Sequence, residues 1–452
     1  MKKASTLLIV LLSNFFAFSQ SVVYISKEKA ISDIEFLTKT IEEVHYDAYF
    51  KTSREDYTKQ KNLIFESWKE DSISIKKFTI AGLKLSALLS NGHTSLSTQN
   101  PSLFPDLIAH KYIPFKIKSN DKHEFFISQS INKKLQVGDQ IISVNGISID
   151  ELFKECMSYV GGISSFKTSY VEKVFPLYLF FNEKIKAPYT IQLVNNEPIL
   201  LEKSLSVQEL QNFLKEETTL ENYTFEIIDT NIAYLSYNSC EDYDAFELFL
   251  SETFRNIKEK NITRLIVDIR NNGGGNSSLN DLLLNYLTNK SYRQSSGRYW
   301  KVSRQVKEQI KNDSLWFGFL DSTFLNQYLK AKDGSIIEEL NFNLTKPKKV
   351  SNYFNGTSCF LIGPNTFSSA NFLADAVKTY GISTLIGTST GEYTNDYGEL
   401  VEFQLPLSGS YFFVSSTYDI GASGDKSIRQ AVLPDIEIWE NILEFSINWI
   451  KK

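Results

Sequence analysis

Apolar residues at 31, 34, 37, 41 and 44 recur at intervals of three and four, the period of one helix face. A second set, Phe78, Leu83, Leu85, Leu88 and Leu89, extends this pattern and predicts helical structure over residues 28–90. The pattern stops at Ser90-Asn91-Gly92-His93-Thr94, where Asn-Gly breaks a helix and the strand-like "TSLST" begins. From Tyr112 to about Glu202 the period changes to two, in the short runs "YIPFKI", "EFFISQS", "QIISVNGISI" and "YTIQLV". Asn145-Gly146, set between alternating apolar residues, predicts a tight hairpin. Beyond residue 206, strands and helices alternate. "NIAYLSYNS", "RLIVDI", "SCFLIG" and "STLIGT" read as strands, while 246–257, "SLNDLLLNYL" and 369–380 read as helices. Continuous apolar runs such as "LIVDI" and "CFLI" belong to strands covered on both faces, so a largely parallel sheet with crossover helices is expected.

Composition changes this picture at the N-terminus and in the number of domains. A chain of 452 residues implies two to three domains, and the texture divides it into 20–108, 109–205 and 206–452. Lys2 and Lys3 precede a short apolar stretch ending in Ala17-Phe18-Ser19, the layout of a secretory signal peptide over 1–19. The first cysteine is Cys156, which excludes a lipid-anchored lipoprotein, and no later segment is apolar for the roughly 20 residues a membrane span needs. An exported protein, periplasmic or secreted, is expected. The formal charge is −5, and removing 1–19 takes away two lysines and no acids. That balance argues against nucleic acid or anionic membranes as partners. Cys156, Cys240 and Cys359 are too few for a disulfide framework and too scattered for a metal site, so no disulfide and no metal is expected.

In open α/β sheets ligands sit beyond the carboxyl ends of the strands, and two turns lie there: 270–276 and 364–369. The first, Arg270-Asn271-Asn272-Gly273-Gly274-Gly275-Asn276, can converge backbone N–H groups on an anion. It lacks the Gly-Lys-Ser/Thr ending of a P-loop and the dinucleotide G-x-G-x-x-G pattern. The second places Ser368 and Ser369 at the mouth of a helix. Either the hydroxyl caps the helix, or Ser368 is a nucleophile with the Ser369 amide, together with Gly273 and Gly274, facing an oxyanion. A serine nucleophile needs a base, and the chain has four histidines. His93, in a sharp turn between helix and strand, is the candidate. His45 continues an amphipathic helix, and His110 and His123 flank the β segment as expected surface residues.

Taken in order, "NGHTSL", "LIVDIRNNGGG", "TFSSANFLADAVKTYG", "LIGTSTG" and "AVLPDIEI" resemble the motifs of the C-terminal processing peptidases and tricorn core proteases. Val137 to Gly146 resembles the "GDxIxxVNG" hairpin of PDZ domains. The resemblance covers nearly the whole mature chain. It implies a crotonase-like α/β core, an N-terminal helical part supplying the histidine, an inserted PDZ-like module, and cofactor-free serine endopeptidase activity on proteins or peptides. Ser368 aligns as nucleophile, Ser369 and Gly273–Gly274 as the oxyanion hole. Members of the Ser-Lys kind carry a lysine where this chain has Gly391-Glu392-Tyr393, which points to His93 as the base. The glutamate that tricorn-like members place before the final Pro-Asp is replaced by the Ile428 region. Asp425, Glu392 and Asp396 are then the candidates for orienting His93. The rival reading is a catalytically silent peptide-binding protein. Acyl-thioester chemistry on the same fold is disfavoured by the secretory signal and the lack of a basic CoA-binding patch.

Overall fold

A computed structural model of the chain describes residues 22–218, 220–312 and 320–452. The proposed signal segment 1–19 lies outside them. The described residues form two compact units, one within 1–219 together with 400–415 and the other within 220–399 together with 416–452.

In the first unit three helices, Lys27–Val44, Arg54–Ser67 and Ile75–Ala87, carry the three-to-four period. The first buries Ala30, Ile34, Leu37, Ile41 and Val44. Each begins at a serine whose side-chain oxygen accepts a first-turn backbone N–H: Ser26 from Lys29, Ser53 from Asp56 and Ser74 from Lys77. A second body of structure is an antiparallel sheet of Phe115–Ser119, Phe125–Ser130, Gln140–Val144, Tyr189–Leu193 and Ile199–Leu201 in that spatial order. Asn145 and Gly146 both have positive φ, 50° and 77°, as a two-residue hairpin joining Val144 to Ile147 requires. Two helices, Ile149–Met157 and Ser164–Tyr178, separate the third and fourth strands. The period-two runs did not mark them, because the longer helix mixes aromatics, β-branched residues and an internal Pro176 and has no clean apolar stripe.

The second unit is built on a six-stranded sheet in the order Tyr223–Asp229, Ile232–Tyr237, Arg264–Asp268, Thr357–Ile362, Thr384–Gly387, Ile436–Glu437. The first pair is antiparallel and the others are parallel. Alternate residues of the central strands enter different cores. Leu265, Val267, Phe360 and Ile362 pack with helices Tyr243–Glu259, Ser278–Leu287 and Ser369–Thr379. Ile266, Cys359, Leu361 and Ile386 pack with the C-terminal helix Ile442–Ile450. Cover on both faces accounts for the unbroken apolar runs. Strands Ser295–Lys301 and Ile336–Leu340 pair with each other, the former also with Thr417–Gly421.

Candidate active site

In the second unit Asp268 pairs with Leu361, so the turns following these two parallel strands emerge side by side. They are stitched together by backbone and side-chain bonds. The Ile269 N–H donates to Leu361 O at 3.0 Å and the Phe367 N–H to Asn272 O at 3.0 Å. The Thr366 hydroxyl donates to Ile269 O at 2.9 Å. Asn272, fully buried, organises the glycine turn: its Nδ2 donates to Tyr237 O at 3.0 Å and its Oδ1 accepts the Gly274 N–H at 2.9 Å. Gly274 has φ 96°. A Cβ there would lie 2.6 Å from Ser368 Cβ and 2.9 Å from Ser369 N, so glycine is required by both conformation and crowding.

The adjacent serines differ. The Ser369 hydroxyl donates to Gly275 O at 2.6 Å, which ties its side chain to the glycine turn. Ser368 occupies the N-cap position of Ser369–Thr379 but makes no side-chain cap hydrogen bond, and its backbone is at φ 54°, ψ −124°. Capping therefore does not explain this serine. A non-glycine residue in that region is strained by about 1–3 kcal/mol, and such strain clusters where a side chain must be presented for function. A sharp strand-to-helix turn of this kind is how a nucleophilic serine is displayed beside the free amides of a helix N-terminus. Ser368 itself is half-buried.

The amides expected to face an oxyanion divide. Gly274 is corrected, since its N–H is committed to Asn272 Oδ1. Gly273, where an added Cβ would meet nothing within 4 Å, and Ser369, the first residue of the helix, remain. Of the carboxylates expected near a histidine, Asp425 is exposed and holds its own loop, accepting from the Ser427 N–H at 2.9 Å and the Ser427 hydroxyl at 2.7 Å. These bonds keep it below the usual carboxylate range. Asp396 accepts the Tyr393 and Tyr397 amides at 3.2 and 2.8 Å. Glu392 is buried and accepts the Ser368 backbone N–H and an Asn371 side-chain hydrogen bond. Burial and the neighbouring Asp396 carboxylate push its pKa well up. Of the three candidate carboxylates it is the one that contacts the serine turn.

The first unit holds His93 in a turn between helix Ile75–Ala87 and strand Ser95–Leu96. The half-buried imidazole is flanked by two anchors: the Ser415 hydroxyl donates to Asn91 Oδ1 at 2.8 Å, and the Ser415 N–H donates to Thr94 Oγ1 at 3.2 Å. Gly161 abuts the turn so closely that a Cβ would come 2.2 Å from Asn91 O. The other histidines differ from this one. His45 is buried at a helix end, its Nδ1 accepting the Asp47 N–H at 3.1 Å. His123 is exposed. His110, expected at the surface, is half-buried: its ring stands edge-on to Tyr112 and Phe180 at 4.7 and 5.2 Å, and burial pushes its pKa down to about 4.

Residues 231–438 match the model of peptidase family S41. Over that segment the chain is similar to the family, and it is a serine-type peptidase. The matched segment contains both stitched turns, from Asn272 to Ser369, and the buried Glu392. No curated protein matches the chain. Among solved structures, a point mutant of CPAF superposes with a TM-score of 0.70 at 14% identity, covering 94% of this chain and 96% of that one. Mature CPAF complexed with lactacystin gives 0.64 at 14% identity, covering 94% and 97%. At that identity the likeness is one of fold, a mixed α/β architecture with several sheets. Among the described residues of the peptidase no helix is long and apolar enough to cross a membrane. All three cysteines are free and buried, and burial pushes the thiols of Cys240 and Cys359 up to about 12, which leaves them without thiolate character near neutrality.

Proposed function

We propose that this peptidase is an exported endopeptidase that cleaves protein or peptide substrates through an acyl-enzyme on Ser368, with His93 as general base. The observation that carries the reading is the strained, uncapped backbone of Ser368 beside a neighbouring serine whose hydroxyl is already bonded. In this mechanism His93 takes the hydroxyl proton as Ser368 Oγ attacks the scissile carbonyl. The amides of Gly273 and Ser369 receive the oxyanion, and the proton passes to the departing amine before water releases the acyl group. The reading assigns Ser368 and His93 as the reacting pair and keeps Asp425, Glu392 and Asp396 as the candidates for orienting His93. No cofactor takes part, and the acidic balance of the chain favours protein over nucleic acid as a partner.

The same reading assigns the six-stranded unit to a crotonase-like core, residues 109–205 to a PDZ-like module, 20–108 to the helical part bearing His93, and 1–19 to a signal peptide. The Asn145-Gly146 hairpin supports the second assignment, and the charged start before a short apolar run supports the last. The test is mass-spectrometric mapping of cuts in a denatured-protein library by the mature enzyme, Ser368→Ala and His93→Ala. Cuts made by the wild type and lost in both variants, by about 10³-fold or more, are expected. Equal cutting by Ser368→Ala would overturn the assignment, and no cutting by any form would favour a peptide-binding protein.

A further inference from the structure

Ser368 can hold its conformation only if the peptide units on both sides of it are fixed, because φ is set by where its N–H points and ψ by where its carbonyl points. The carbonyl side is secured by the helix, since the Phe372 N–H donates to Ser368 O at 3.1 Å. The preceding residue is held at both ends: the Phe367 N–H donates to Asn272 O, and Phe367 O accepts from the Ala370 N–H at 3.1 Å. The remaining group is the Ser368 N–H, and its acceptor is the Glu392 carboxyl. A glutamate in an Asn-Gly-rich surface turn would be solvated. Glu392 is 5% exposed, and the backbone around it is fastened by Gly391 N–H to Thr366 O at 3.0 Å and by Asn371 Nδ2 to Tyr393 O at 2.8 Å.

We propose that Glu392 is a positioning residue for the nucleophile, its buried carboxyl group fixing the Ser368 peptide so that the strained conformation persists and the hydroxyl stays free to react. The inference rests on the reading of Ser368 as nucleophile. It also specifies a charge state. The groups facing Glu392 include the carboxylates Asp396 and Asp419, with Asn371 and the Ser368 amide. Burial and the neighbouring Asp396 carboxylate push the pKa of Glu392 well up, which favours its neutral form. A neutral carboxyl accepts the N–H through its carbonyl oxygen and sets no negative charge beneath a developing oxyanion. An ionised one would oppose that oxyanion.

The test is kcat and KM against pH for the full-length mature enzyme, Glu392→Gln and Glu392→Ala, on any peptide that the wild type cleaves, with Ser368→Ala as control. Glu392→Ala is expected to lose about 100-fold in kcat with KM little changed. Glu392→Gln keeps the acceptor and has nothing to ionise. It is expected to restore kcat to within about tenfold of wild type and to lack the alkaline fall that Glu392 ionisation gives the wild type. If Glu392→Ala does not fold, the Gln profile decides alone. A Gln variant as inactive as Ala, or one with the wild-type alkaline fall, overturns the proposal while leaving Ser368 as nucleophile. Undiminished activity in Ser368→Ala overturns the underlying reading instead.

Discussion

The turn of Ser368 and the turn of His93 each tether residues beside a side chain to which the proposed mechanism gives a role, but they do so by different means. At Ser368 the restraint is local and steric: Gly274 is pressed against the serine, Asn272 holds the preceding amide, and the residue itself carries strain. At His93 the restraint comes from far along the chain, through a single serine, Ser415, that bonds both Asn91 and Thr94, and the histidine itself is not among the positive-φ residues. In the proposed mechanism a nucleophile on a strained turn has one productive shape, whereas a base on a turn without positive φ needs only to be kept from wandering, which hydrogen bonds worth about 1 kcal/mol each can do.

This contrast can be broken at its strong end first. Gly274→Ala inserts a methyl into the space of Ser368 Cβ at φ 96°. It is expected to lower stability by about 3 kcal/mol or more in chemical denaturation and to abolish cleavage. A variant as stable and active as wild type would show that the crowding is not restrictive. Ser415→Ala should be milder, at about 1–2 kcal/mol of stability and about tenfold in kcat, with the reaction of Ser368 toward a phosphonate slowed but not lost. A full loss of activity would put the two turns on the same footing.

The smallest effect concerns the surroundings of the serine turn. Asp375 lies on the helix that Ser368 opens and accepts the Ala422 N–H at 2.7 Å. Burial raises its pKa from 3.8 to about 6. Because the folded value is the higher one, its contribution to stability is complete below pH 3.8 and is lost as pH rises through about 6. The loss amounts to about 3 kcal/mol at most. Asp419, raised to about 6 by burial, acts in the same direction. Thermal denaturation across this range should show stability declining with pH, with a shallower slope in Asp375→Asn. An unchanged slope would remove Asp375 from the account.

Much of this was legible in the sequence where the restraint is local. "LIVDI" and "CFLI" announced strands covered on both faces because each alternate residue meets a separate core. Asn145-Gly146 announced a hairpin because only such residues take positive φ cheaply. The two serines were legible as a pair, but not which hydroxyl was free, since that depends on Gly275 O. Asn272 read as one more turn former, and its burial comes from Tyr237 on a neighbouring strand. Glu392 read as one of three candidate carboxylates, and its burial with Asp396 and Asp419 nearby arises only in three dimensions. The residues 400–415 grouping with the first unit, and with them Ser415, had no local signal.

The most direct test of the central claim is to treat the mature enzyme with an alkyl fluorophosphonate and locate the adduct by intact mass and peptide mapping. The account predicts one adduct, on Ser368, absent in Ser368→Ala and formed slowly in His93→Ala. An adduct on Ser369 or any other serine, or cleavage that continues with Ser368 fully modified, would contradict it.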